Sequence, residues 1–171
     1  MQEASLSTLR RLGVSETRML ATQANLACTY HELGNMEKTL SMERDVYSAR
    51  VKLDGEEHER TLRAANNYAS TLISLKRFEE AKSLLRNSVP VARRVLGEGD
   101  RLTLKMRSIY ATVLCEDPAA TLADFREAVE TFEEIESIAR RVLGGAHPLL
   151  AQIENNLLAA RAARDSQPLG A

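Results

Sequence analysis

Histidine beside glutamate occurs twice, at His31-Glu32 and His58-Glu59, and each pair opens as a helical zinc-protease motif does, with one imidazole ligand and an adjacent carboxylate base. That chemistry needs a second histidine one helical turn later, on the same face, to hold the metal. Asn35 and Leu62 stand there instead, so neither pair completes a ligand set. Cys28 and His31, three apart on one helix side, supply at most two ligands where a structural zinc takes four. No phosphate-cradling glycine loop and no Ser-His-Asp arrangement is visible, and most carboxylates fall on solvated helix faces. The expectation is a chain with no catalytic, metal or cofactor site, and hence not an enzyme.

Amides, hydroxyls and cations at helical spacing remain. Arg63, Asn66, Asn67, Ser70 and Ser74 share one helix side opposite an apolar face, and Lys105, Ser108 and Thr112 continue the stripe on a later helix. An amide side chain donates to a carbonyl and accepts from an N–H, so it can hold peptide backbone without regard to sequence. A polar stripe can equally be a solvated surface, and the elements that carry it decide between the two.

Lysine and arginine number 23 against 24 acidic residues, giving a formal net charge of -1. Such a balance creates no field that would release counterions from a phosphate backbone, and aromatics for base stacking are few, so nucleic acid is not an expected partner. No run approaches the roughly 20 apolar residues needed to span a bilayer, and the opening MQEASLSTLRRLG lacks the apolar core of a secretory signal. A soluble protein of the cytoplasm, without a membrane partner, is expected. Cys28 and Cys115 fall in helices two units apart, beyond disulfide reach, and both read as reduced thiols.

The elements repeat. Sliding Thr61–Gly97 by 42 residues finds it again: Leu20, Asn25-Leu26-Ala27, Glu37 and Gly55 answer Leu62, Asn67-Tyr68-Ala69, Glu79 and Gly97. On the other side Thr103-Leu104, Tyr110-Ala111 and Leu114 answer Thr61-Leu62, Tyr68-Ala69 and Leu72. Within the unit, Leu62, Ala65, Ala69 and Leu72 mark one helix face, with Tyr68 and Leu75 beside it, and Phe78, Ala81, Leu85, Val89, Ala92 and Leu96 mark a second helix. Two helices cannot bury both faces alone, so such units must stack into an all-α, right-handed solenoid of antiparallel helix pairs, about three repeats with half-repeats at both ends. The solenoid is expected over residues 1–165, with a disordered tail over residues 166–171.

In chain order, residues 1 to 12 read as the second helix of a repeat that lacks its first. Ser15 opens a helix running to about Leu33, and its partner spans about Met36 to Leu53. Pro90 lies inside a helical pattern, where it either kinks the helix or makes it stop and restart. Register shifts from 42 to 47 residues between Phe78–Gly97 and Phe125–Gly144, so five residues are inserted near Cys115–Leu122. Asp117-Pro118 reads as an N-cap followed by a first-turn proline, which predicts one long helix from about Pro118 to Leu143. His147-Pro148 starts a last helix with Asn155-Asn156 in the register of Asn66-Asn67.

A unit of this length with a Leu-Gly turn, a Thr-Leu start, Asn-Asn or Asn-Leu-Ala in the first helix and Phe-Glu-Glu-Ala opening the second resembles the tetratricopeptide repeat of the kinesin light chain type, over roughly Leu9 to Arg164. Thr39 in place of alanine, Lys76 in place of glycine, the insertion and Pro90 depart from that pattern. The resemblance implies protein binding: the first helices line a concave groove where asparagines, here Asn25, Asn67 and Asn156, hold the main chain of an extended peptide, while Ile109 interrupts the ladder. With the polar stripe it marks Asn25, Arg63, Asn66, Asn67, Ser70, Lys105, Ser108, Thr112 and Asn156 as the peptide-binding groove, and Arg63 and Lys105 beside the path imply a ligand with acidic residues. A related carboxylate clamp would need Ala24, Cys28, Asn67, Lys105 and Ile109 to be amides and cations in its pattern, and only Asn67 and Lys105 match. The competing reading is an assembly module whose end helices stack on further repeats or on another copy.

Overall fold

The computed structural model describes residues 15–166, and in them the chain forms seven α-helices and no strand. These are α1 (Glu16–Glu32), α2 (Met36–Asp54), α3 (Glu59–Ser74), α4 (Phe78–Leu96), α5 (Arg101–Glu116), α6 (Leu122–Leu143) and α7 (Pro148–Asp165). The expected helix over residues 1 to 12, and all of the expected tail but Ser166, lie outside the described residues. Each helix packs antiparallel on the next, giving three pairs and a single final helix in a right-handed solenoid.

Helix starts are set by side chains that take up unpaired backbone donors. Asp100 accepts from the N–H groups of Leu102 at 2.8 Å and Thr103 at 3.3 Å, and the imidazoles of His58 and His147 each accept from the N–H two residues on at 3.1 Å. The repeating Thr-Leu start also has a physical reason. The hydroxyls of Thr61 and Thr103 reach back to carbonyls at the end of the preceding helix pair, Gly55 at 2.7 Å and Ala92 at 3.2 Å, and so tie one unit to the next. First helices end in a left-handed residue, Gly34 at φ 74° in the first unit and Lys76 at φ 57° in the second.

The apolar stripes meet as their spacing requires. Ala69, Leu72, Ala81, Leu85 and Ala92 are completely buried, and the absence of bulk at the alanines lets α3 and α4 approach closely. One core cluster joins Leu40, Leu62, Leu72, Leu85 and Met106, a second joins Leu104, Leu114, Phe132, Ile135 and Ile153, and α5 contributes to both. The core is therefore a layer that passes through the helices from unit to unit.

Pro90 does not interrupt α4, which is continuous from Phe78 to Leu96. The proline is exposed, so the carbonyl of Arg86 that loses its helical donor stands where water reaches it. The insertion behaves differently from expectation. Asp117 caps nothing ahead of a helix from Pro118; residues 117–121 are a turn, and α6 starts at Leu122 behind a capping box made by Thr121 and Asp124. Asp117 is drawn elsewhere: its carboxylate lies 2.5 Å from the ammonium of Lys82 on α4 and accepts from the Ala119 N–H at 2.9 Å. At 22 residues α6 is still the longest described helix, three longer than α2 and α4 at 19.

Candidate binding groove

Packing between units fixes which helices face inward. First helices touch across units, α3 on α5 and α5 on α7, while the second helices α2, α4 and α6 make no comparable contacts with one another. Elements on the inner arc of a curved stack lie closer together, so the first helices line the concave side.

Between α3 and α5 the concave face holds a polar cavity of about 440 Å³, lined by Arg63, Asn66, Asn67, Arg101 and Lys105, with Glu59 and Asp100 at its edge. Arg63 is ion-paired to Glu59 one turn before it. Asn66 donates through Nδ2 to Asn67 Oδ1 at 3.3 Å, and its own Oδ1 is buried without a hydrogen-bond partner. The Asn67 Nδ2 group is bonded to nothing among the described residues and is a donor the pair can offer, while Asn67 Oδ1 keeps a second lone pair as the acceptor. Ser70 donates to the Asn66 carbonyl at 3.0 Å, Ser74 to the Ser70 carbonyl at 3.1 Å and Thr112 to the Ser108 carbonyl at 3.0 Å, which leaves these hydroxyls as acceptors only.

A second cavity, of about 340 Å³, separates α1 from α3. Leu20, Ala21, Ala24 and Val46 form an apolar floor, and Arg18, Arg60 and Arg63 with Asn25 and Asn67 form the rim. Arg63 and Asn67 line both cavities and join them into one path. Among the described residues Arg18, Arg60, Arg101 and Lys105 carry no ion pair and lie together on this path; Arg77, Arg93, Arg94, Arg140 and Arg161 on other surfaces are paired, while Lys52, Lys76, Arg126 and Arg141 are scattered there without one.

Three of the expected groove positions sit differently from the stripe drawn on sequence. Ser108 is 5% exposed and packed between helices, so it is not available to a ligand. Asn156 donates to Thr112 at 3.4 Å across α5 and α7, so both side chains serve that contact. Asn25, Arg63, Asn66, Asn67, Ser70 and Lys105 keep an exposed or half-buried place on the concave side. Sequence reasoning missed the cleft between α1 and α3 and its rim residues Arg18 and Arg60. A signal was available, because Arg18 precedes Arg60 by the repeat length of 42, as Arg63 precedes Lys105.

The residues considered for catalysis are placed for structure. His58 is the cap of α3, and His31 stands exposed near the end of α1. Cys28 and Cys115 are both free. Burial first, then the charges of Glu43 and Glu32, push the Cys28 thiol up from its ordinary range, and burial pushes Cys115 to about 11, so neither is a thiolate at neutral pH. No group of three or more His, Cys, Asp or Glu side chains that could hold a metal occurs among the described residues, and no described helix is long and apolar enough to cross a membrane.

Stacked helix pairs, a layered core and an inward-facing polar groove define a helical-repeat scaffold. Residues 18–94 match the tetratricopeptide repeat family model, and the chain has the fold of solved kinesin light chain TPR-like repeats. The kinesin light chain nearly identical TPR-like repeats of Podosopora anserina superpose with a TM-score of 0.78 at 20% identity, covering 97% of this chain and 77% of that one. A substituted form of the same repeats gives a TM-score of 0.80 at 21% identity, covering 97% and 76%. BtubC (BKLC) from P. vanneervenii gives 0.64 at 14% identity, covering 99% and 74%. No curated protein matches the sequence. Tetratricopeptide repeats mediate protein–protein interaction and scaffolding.

Proposed function

We propose that the chain is a non-enzymatic scaffold whose concave groove holds an extended segment of a partner protein. Asn25, Asn66 and Asn67 take the segment's backbone, and Arg18, Arg60, Arg101 and Lys105 take its acidic side chains. The observation that carries this reading is the gathering on one concave path of cations without ion pairs and amides with unused bonding capacity. Charges that gain nothing within the fold are available to a partner, and their attraction steers acidic ligands. Nucleic acid and membranes are not partners in this reading, and two free thiols accord with the reducing cytoplasm.

Calorimetric titration with an acidic peptide chosen from an array, and with its neutral analogue, tests the reading. Asn67→Ala removes a backbone contact and should cost about 1–2 kcal/mol of binding with little change in melting temperature. Arg63→Glu should weaken the acidic peptide more than the neutral one, by a margin that shrinks at high salt. Unchanged affinity in both variants would move the contact off the concave face.

One observation favours a second reading, assembly through the end helix. Leu158 on α7 is 64% exposed, on the side away from α5 and α6. If copies associate there, light scattering should show mass rising with concentration, and Leu158→Glu should abolish the rise while leaving peptide affinity unchanged.

A further inference from the structure

At the junction of the first two helix pairs a carboxyl occupies a place that the other pairs fill with hydrocarbon. Glu43 of α2 precedes Leu85 by 42 residues and Phe132 by 89, which is the repeat register. Leu85 is 0% exposed and Phe132 1%, and Glu43 itself is only 7% exposed. The carboxyl accepts a hydrogen bond from the Thr71 hydroxyl of α3, but its Oε2 is buried with no partner at all. Cys28 and His31 face it from α1, His31 with a weak attractive influence, and Glu32 lies beside Cys28. No cation pairs with Glu43 among the described residues. Burial therefore dominates, and it pushes the Glu43 carboxyl above the usual carboxylate range against the smaller pulls of Thr71 and His31.

The same junction lacks the contact between first helices that the later junctions have. α3 packs on α5 and α5 on α7, but the 340 Å³ cavity stands between α1 and α3. Leu20, Leu26 and Ala27, the buried residues of α1, belong to neither of the two core clusters. What holds α1 and α2 onto the rest of the array is the contact of α2 with α3, where Glu43 lies.

We propose that Glu43 makes this junction a proton-operated hinge: with the carboxyl neutral α2 seats on α3, and with it ionised the first helix pair loosens and the cleft between α1 and α3 widens. A carboxyl favoured in its neutral form by the closed junction adds stability that is fully present below the ordinary carboxylate range. That stability is lost as pH rises through the higher value of the closed state. Acidification thus closes the hinge, and the rim residues Arg18 and Asn25 draw toward Asn67.

Hydrogen exchange of the full chain, corrected for intrinsic rates and followed from about pH 5 to about pH 8, reads the hinge directly. Linkage to one proton allows the protection of α1 and α2 to fall by up to about tenfold per pH unit across the window, with α5 and α6 unchanged. Glu43→Gln and Glu43→Leu, the latter restoring the residue type at position 85, should each leave α1 and α2 with protection that no longer depends on pH. His31→Gln should leave the pH dependence intact. A flat profile in the unaltered chain, a dependence that survives in both Glu43 variants, or its loss in His31→Gln would overturn the proposal.

Discussion

His58, Asp100 and His147 stand in one repeat register, each just before a first helix and each accepting from its backbone. Aspartate serves better than a neutral imidazole, because it accepts two bonds here and its charge suits the positive end of the helix. His58→Asp should therefore raise stability by about 0.5–1 kcal/mol, read as an upward shift of the thermal melt. Asp117 carries the acid sensitivity of a different contact. The bond from Lys82, and then that from the Ala119 N–H, hold its carboxyl below the usual range. A carboxyl lowered in the fold contributes stability that is present above its unfolded value and lost as pH falls through the folded one. Melts taken downward from about pH 5 should lose stability more steeply in the unaltered chain than in Asp117→Asn.

At the scale of elements, turns decide where each helix stops. Lys76 holds the left-handed conformation that Gly34 holds in the preceding unit, at a steric cost that glycine lacks. Lys76→Gly should stabilise the α3–α4 corner by up to about 1 kcal/mol, measured by denaturant melts at unchanged slope. The inserted turn is held by a pair rather than by its own helix propensity. Lys82 and Asp117 are each 8% exposed and bridge α4 to the α5–α6 turn. Asp117→Ala leaves the ammonium with the exposed Glu79 as its remaining partner and should cost about 3 kcal/mol. Replacing both, with leucine at 82 as at position 40 of the first unit, should recover most of that loss.

Across the whole molecule, stability is distributed unevenly because each unit touches only its neighbours. α5 feeds both core clusters, so Leu114→Ala in its completely buried face should cost about 2–5 kcal/mol and lower the protection of α5, α6 and α7 together. Leu20→Ala, beside the open cleft, should affect α1 and α2 alone, with hydrogen exchange resolving the two patterns. The proposed groove spans both regimes: its α3–α5 part rests on the firm core and its α1–α3 part on the junction with the open cleft. Binding to the first part should be rigid, and binding to the second should depend on the protonation of Glu43.

Periodicity alone determined the helices, their pairing and their stacking, since a 3.6-residue apolar rhythm recurring at a fixed offset has one way to bury its faces. That Asn25, Asn67 and Arg63 stand outside the packed core was legible for the same reason, as they fall opposite the apolar face. The burial of Ser108 was not, because it comes from neighbouring helices that the pattern of a single helix does not include. The start of α6 was likewise decided in three dimensions, where Lys82, distant in sequence, drew Asp117 away from a capping role. The open cleft between α1 and α3 and the buried carboxyl of Glu43 also depended on distances between units. Local spacing says which face a residue takes, but not how closely the neighbouring unit approaches it.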